Sequence, residues 1–335
     1  MANLFLDSFG HYNVTITQMP TKWTSAGGSI VSGLNTGSTF GFRGGAAKTL
    51  GLFPTLAAGS RHFVGTSHII NGFRNEVGVD INIDFTIASD GRIVANVNSV
   101  PVATSTFAIT FGATYHFQTK STFSYTLFDP LTYIGTHTFE VYVNGVLRLS
   151  GSFTTGNTRW GGDITELQYA EIYVHPDDGA GGWIGDLWVT DGELLGQCPV
   201  LLFLATADGP VLNWTPLSGS DHFAMVNMQV PDDTTYNFDN VSGDIDEYQM
   251  ATVPAGTIKG AQVVVRLEKD APSTATLQIV YRNGAGTTVL GTPVFAPSQD
   301  SYAFFLDSTR KSVFTAADWT PAEWNSGFAG IKRVT

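Results

Sequence analysis

Few residues in this chain of 335 stand at spacings that do chemistry, and carboxylates come nearest. Asp80, Asn82 and Asp84 alternate along Val79-Asp80-Ile81-Asn82-Ile83-Asp84-Phe85-Thr86-Ile87, which puts them on one face of an extended strand. Asp244, Asp246 and Glu247 are spaced almost as well. Two carboxyls about 5 to 9.5 Å apart across a cleft can hydrolyse a glycosidic bond. The competing reading is preferred: solvated carboxylates on the wet face of an antiparallel sheet. Asp177-Asp178-Gly179 and Asp232-Asp233-Thr234-Thr235 lack the ligand pattern calcium needs and read as turns. Gly44-Gly45-Ala46-Ala47-Lys48-Thr49 fails as a phosphate loop, because Ala47 and Phe42 sit where glycines belong; it reads as a surface turn. The His residues show no metal-ligand spacing, and neither His-Glu-x-x-His nor Gly-x-Ser-x-Gly occurs. No catalytic residue, cofactor or metal ligand is therefore assigned, and the expectation is a protein that is not an enzyme.

Tryptophans give the remaining candidates. Trp160 and Trp183 sit beside glycine pairs, in Trp160-Gly161-Gly162 and Gly181-Gly182-Trp183. With His175 they form a candidate sugar-binding set, since a loop Trp stacks its apolar face on a sugar ring. Packing over the end of a sandwich is the preferred alternative for both. Trp23, Trp188 and Trp214 fall in apolar surroundings and read as core.

The elements that must position these residues are strands. The run Val79–Ile87 alternates with period two, and Asp90-Gly91 turns it into Arg92–Val97. Thr138–Val143 meets Val146–Leu149 through Asn144-Gly145, whose residues both accept the positive φ of a type I′ turn. Further strands are predicted at Leu167–Val174, Trp183–Thr190, Val200–Ala205, Ala261–Leu267, Thr276–Tyr281 and Tyr302–Leu306. Helical signals are confined to single turns at Thr315–Trp319 and Pro321–Trp324. Many strands and almost no helix indicate an all-β chain of two consecutive antiparallel β-sandwich domains. Gly192–Pro199 breaks the strand pattern, as does Ala207-Asp208-Gly209-Pro210. The boundary is placed at 1–197 and 198–335.

Composition bounds the rest. Charged residues are 14% against about 25% in ordinary soluble domains. The net charge of −12 argues against nucleic acid and anionic lipid as partners, both of which need Lys and Arg. Cys198 is the single cysteine, so the cores must hold the fold without an intrachain disulfide. Met1–Asp7 has no basic n-region, and no run of 18 apolar residues occurs, so neither a signal peptide nor membrane insertion is expected. The sequons at Asn13, Asn213 and Asn240 read as chance matches.

Several segments resemble a known family. Asp7-Ser8-Phe9-Gly10-His11-Tyr12 with Thr21-Lys22-Trp23 resembles the opening of concanavalin-like (LamG-like) jelly-roll proteins of tailed bacteriophages. Phe139–Val146 resembles the late hairpin of that lectin-like fold, and Trp183–Val189 its Leu-Gly-Asp-Val-Arg-Val strand, with Leu187-Trp188-Val189 departing from the pattern. Thr206–Gly209, Trp214–Pro216, Pro231–Tyr236 and Gly243–Tyr248 resemble, in order, the second half of phage virion proteins. The resemblance implies a structural component exposed on the virion, assembled in the bacterial cytoplasm: a head decoration, a neck or collar appendage, or a tail fibre or spike. Its implied partners are other virion proteins, copies of itself and host surface glycans. A carbohydrate-binding adhesin or polysaccharide depolymerase is the alternative. No binding residue is carried over from the family.

Overall fold

The computed structural model describes residues 4–7, 25–36, 38–65, 68–74, 82–129, 132–156, 158–159, 168–175, 182–229, 233–270, 272, 274–299 and 301–335. They form two compact units that part after Val200. Almost every element is a strand, and all named strand pairs are antiparallel. The fold is all-β, with lectin-like jelly-roll architecture. Among the described residues no helix is long and apolar enough to cross a membrane.

The first unit is one continuous ladder curled on itself. From one end its strands run Val146–Thr154, Thr132–Val143, Thr114–Asp129, Thr55–Phe63 and Trp183–Thr190. It continues through Ser38–Phe53, Tyr169–His175, His68–Arg74, Asn82–Ile87, Arg92–Val97 and Val100–Ala108. The two halves face each other. Asn71 bonds Thr119, and Phe85 meets Phe139 with ring centroids 6.1 Å apart, although their strands are not neighbours in the ladder. Period-two patterning sets this up: in Asn82–Ile87 and Thr132–Val143 every second residue is buried and those between are partly buried or, at Thr138, exposed. Val79 to Ile81 of the expected strand lie outside the described residues.

Turn chemistry follows the expected pattern at two hairpins. Asn144 and Gly145 have φ of 49° and 79°, as a type I′ turn requires. Gly91 has φ 81° and donates its N–H to Ala88, closing a turn of the glycine-bulge kind. A third tight turn, at Asn98-Ser99 with φ of 49° and 65°, uses no glycine. Trp188 fixes the centre of the unit. It is fully buried, and a Cβ on Gly59 would lie 2.1 Å from its Cε2, so only glycine admits the indole there. Truncating such a residue to Ala typically costs about 3–5 kcal/mol.

The second unit pairs Ala205–Leu212, Ile245–Met250, Phe328–Arg333, Leu277–Arg282 and Thr288–Phe295 in one sheet. A two-stranded layer of Ala261–Leu267 and Ala303–Thr309 accompanies it. Ile279, Tyr281 and Phe295 of the larger sheet pack against Val263, Val265 and Phe305 of the smaller, forming the core between them.

Some expectations are corrected. Val200–Leu204 has no regular structure, and the strand begins at Ala205, running through the turn-rich Ala207–Pro210. Gly44–Thr49 lies inside the strand Ser38–Phe53 rather than in a turn. Of the two helical signals, only Pro321–Asn325 is a helix: Pro321 starts it, and Thr320 accepts the Glu323 N–H at 3.1 Å.

Candidate functional site

The residues richest in chemistry lie on the outer face of the first unit, where Tyr169–His175, His68–Arg74 and Asn82–Ile87 run side by side. Ile172, Val174, Phe73, Ile83 and Phe85 point to the core. Their neighbours along each strand must therefore point outward. A bulge at Ile70 adds one residue to the middle strand. It lets Asn71 turn inward to Thr119 while Ile69, Gly72 and Arg74 turn out.

Register sorts these outward residues into rows. Tyr173, Gly72, Asp84 and Asn96 form one; Glu171, Arg74 and Asn82 form the next; His175, Ile69 and Thr86 flank the first. Gly72 has no side chain, so the carboxyl of Asp84 leans over it: a Cβ there would lie 2.1 Å from Asp84 Oδ1. Tyr173 stands on the other side of this notch. The Arg74 guanidinium lies over the Tyr173 ring, 4.5 Å from its centroid, and its Nε donates to Glu171 Oε1. The His175 ring lies 6.0 Å from that of Tyr173, tilted by 31°. The result is an aromatic platform beside a carboxyl, with a second carboxyl clamped to the guanidinium.

Electrostatics distinguishes the two carboxyls. Burial raises the pKa of Asp84, against the pull of Arg74. Glu171 is tied into an ion pair. Burial also raises the Tyr173 phenol, opposed by Arg74 and reinforced by Asp84. Two strand spacings across and two residues along put the Cα atoms of Asp84 and Glu171 about 12 Å apart.

Of the candidates read from sequence, His175 belongs to this face. Trp183 does not: it is 6% exposed, at the start of its strand, and stacks on Phe63 with rings 8° from parallel. Its ring therefore packs over the sandwich and leaves no face for a sugar. Trp160, Asp80, Asp177 and Asp178 lie outside the described residues. Asp233 has φ 61° and both its oxygens accept from Arg266, an ordinary turn acid held by a cation. Asp246 and Glu247 are adjacent in their strand and separately partnered, so they do not share a cleft. Asp246 accepts from His222, Tyr248 and Asn237, and Glu247 takes both its bonds from Arg282 Nε.

The interior of the first unit holds a polar line that sequence reading missed. Ser60 Oγ lies 2.5 Å from His62 Nε2, and His62 Nδ1 lies 2.5 Å from His68 Nε2. The order is that of nucleophile, base and orienting group. All three are within 2% of complete burial, so no substrate reaches them, and the line is a packing feature. A second polar set joins Ser121, Tyr169 and His137 through the Tyr169 hydroxyl, at 2.7 Å on each side. Among the described residues no three His, Cys, Asp or Glu side chains are grouped to hold a metal.

No protein-family model matches the chain, and no curated protein does. Solved structures similar to it include the alginate lyase Aly36B in complex with alginate trisaccharide, at 12% identity and TM-score 0.32, covering 56% of this chain and 97% of that one. A SAP-like pentraxin from Limulus polyphemus matches at 16% and 0.27, covering 49% and 75%. A GH43 glycoside hydrolase matches at 13% and 0.29, covering 50% and 34%. The expectation that the chain is not an enzyme is corrected here: a lyase and a glycoside hydrolase stand among these neighbours, at a similarity that gives this chain neither activity. The physical reason is that a sheet face gathers its reactive groups from separate strands. Missing local motifs therefore exclude nothing.

Proposed function

We propose that the first unit is a carbohydrate-active domain that lays an extended glycan across the face of Tyr173, His175, Asp84, Arg74 and Glu171. The observation that carries this reading is the Asp84 carboxyl leaning over Gly72 toward the Tyr173–His175 platform. An aromatic face beside hydrogen-bonding groups suits a sugar ring, whose C–H face is apolar and whose edge is polar. A carboxyl whose pKa burial raises suits donation to a leaving glycosidic oxygen. Glu171 supplies the second carboxyl. Water attacks the anomeric carbon and gives its proton to Glu171 while Asp84 protonates the departing oxygen. Carboxyls roughly 6.5–9.5 Å apart leave room for that water and invert the anomeric centre.

The test is reducing-end release and gel retardation with a panel of polysaccharides. The expected result is release by the unmodified chain, lost in Asp84→Asn with binding kept, and binding lost in Tyr173→Ala. Neither release nor retardation with any member of the panel would end this reading.

The setting we propose is the surface of a tailed-phage particle, where such a domain meets host glycans. What supports it is the ordered set of segments from Trp183 to Tyr248 that resemble phage virion proteins. Mass spectrometry of purified particles should find the chain at a fixed copy number set by the particle's symmetry. Its absence from them would remove this setting and leave the carbohydrate reading standing.

A further inference from the structure

We infer that the glycan this face takes is uncharged, a neutral polysaccharide rather than a polyuronate; the inference rests on the carbohydrate reading above and adds the substrate class. The argument is the state of the cations. An anionic chain needs a positive group on each repeat it touches, and the three strands of the face offer one, Arg74. That guanidinium is already engaged twice, by the Glu171 carboxylate and by the Tyr173 ring. Arg92 follows on the next strand and is paired with its own turn acid, Asp90, at 3.4 Å. None of the other outward groups Tyr173, His175, Asn82, Asp84, Thr86 and Asn96 is a Lys or Arg.

Sequence composition points the same way. The stretches 75–81 and 176–181, which follow two of these strands in sequence, contain Glu76, Asp80, Asp177 and Asp178 and no Lys or Arg. The whole chain carries −12, so a polyanion is repelled before it arrives. What the face does offer is matched to hydroxyls. Tyr173 and His175 give an aromatic surface of two rings tilted by 31°. The Asn96 amide already reaches along the sheet to the Thr86 hydroxyl at 3.1 Å, so the polar groups beside the platform are aligned in advance.

Affinity electrophoresis of the full chain tests this, in gels containing galactan, xylan or alginate, at about 20 and about 300 mM NaCl, between which the Debye length falls severalfold. The expected result is retardation by a neutral polymer that changes less than about twofold with salt, since no counterions are released. Alginate should bind at least about tenfold more weakly. Tyr173→Ala should abolish the neutral retardation. Glu171→Gln frees Arg74, and, with its circular dichroism unchanged, should gain about tenfold for alginate at low salt. Alginate retardation equal to or stronger than neutral, lost with salt and lost in Tyr173→Ala, would overturn the substrate class and keep the carbohydrate face. A folded Glu171→Gln variant with no gain would overturn the charge argument. Retardation by no polymer at all would instead overturn the carbohydrate reading itself.

Discussion

The two units differ most in what they bury. The first hides imidazoles: His62, His68 and His137 are almost wholly enclosed, bonded to Ser60, to each other and to Tyr169. The second hides carboxylates. Asp246 and Glu247 have no exposed surface and Asp307 very little. An imidazole is neutral near neutral pH, so these bonds are satisfied without burying charge, although the same unit also buries Asp7 and Asp186, the latter met by Arg61 at 2.5 Å. Each carboxylate must be met by a cation or by several donors, and the second unit supplies both: Arg282 for Glu247, and three side chains for Asp246. The lowered imidazoles of the first unit and the raised carboxyls of the second thus shift in opposite directions.

Acidification should separate them by the largest margin. Burial lowers His116 and His137 to about 4 and also pushes His62 well down, aided by His68 and His116. A folded-state pKa below the unfolded value of 6.5 means stability present above 6.5 and lost as pH falls toward 4. For His116 and His137 the loss is on the order of 3 kcal/mol each. The second unit runs the other way. Burial raises Asp246, Asp307 and Asp239 above 3.8, so these groups add stability as pH falls through their raised values toward 3.8. Calorimetry from pH 7 to 4.5 should show one transition falling steeply while another holds or rises. Two transitions falling together would break the contrast.

The next effect belongs to the second unit. Glu247→Ala leaves Arg282 without its partner, and breaking a buried pair costs about 3–5 kcal/mol. The expected outcome in urea is an earlier midpoint for the second unit, with the first unchanged. Smaller is Thr320→Ala, which removes the cap of Pro321–Asn325 and should cost about 1 kcal/mol in the same unit. Smallest, and opposite in sign, is Asp84→Asn. Burial raises this carboxyl, so its charge at pH 7 works against folding. Removing it should raise the first unit's melting temperature by up to about 4 °C, what roughly 1 kcal/mol gives in a domain of this size. A fall would mean that Asp84 is held by interactions that favour its ionised form.

Strands with strong side-chain patterning were legible in the sequence. Trp183–Thr190 and Ala261–Leu267 fall where the pattern puts them, and Asn144-Gly145 makes the turn its residues demand. Ser25–Thr36 and Ser38–Phe53 were not legible, because Gly, Ser and Thr carry no alternation and these long strands are specified by their neighbours. The turn at Asn98-Ser99 was missed because positive φ at Ser has no sequence signature. The site was half visible. Glu171-Ile172-Tyr173-Val174-His175 alternates perfectly and places three side chains of the candidate site on one face, of which only His175 stands among the residues read from sequence. Arg74 and Asp84 could not be joined to it from sequence, since only the register of three strands and the bulge at Ile70 bring them together.

The central claim is that the outer face of the first unit holds a glycan. Hydrogen exchange measured with and without a neutral oligosaccharide, galactan- or xylan-derived, tests it most directly. Added protection is expected across 68–74, 82–87 and 169–175, with 205–335 unchanged. Protection confined to the second unit, or none at saturating sugar, would contradict it.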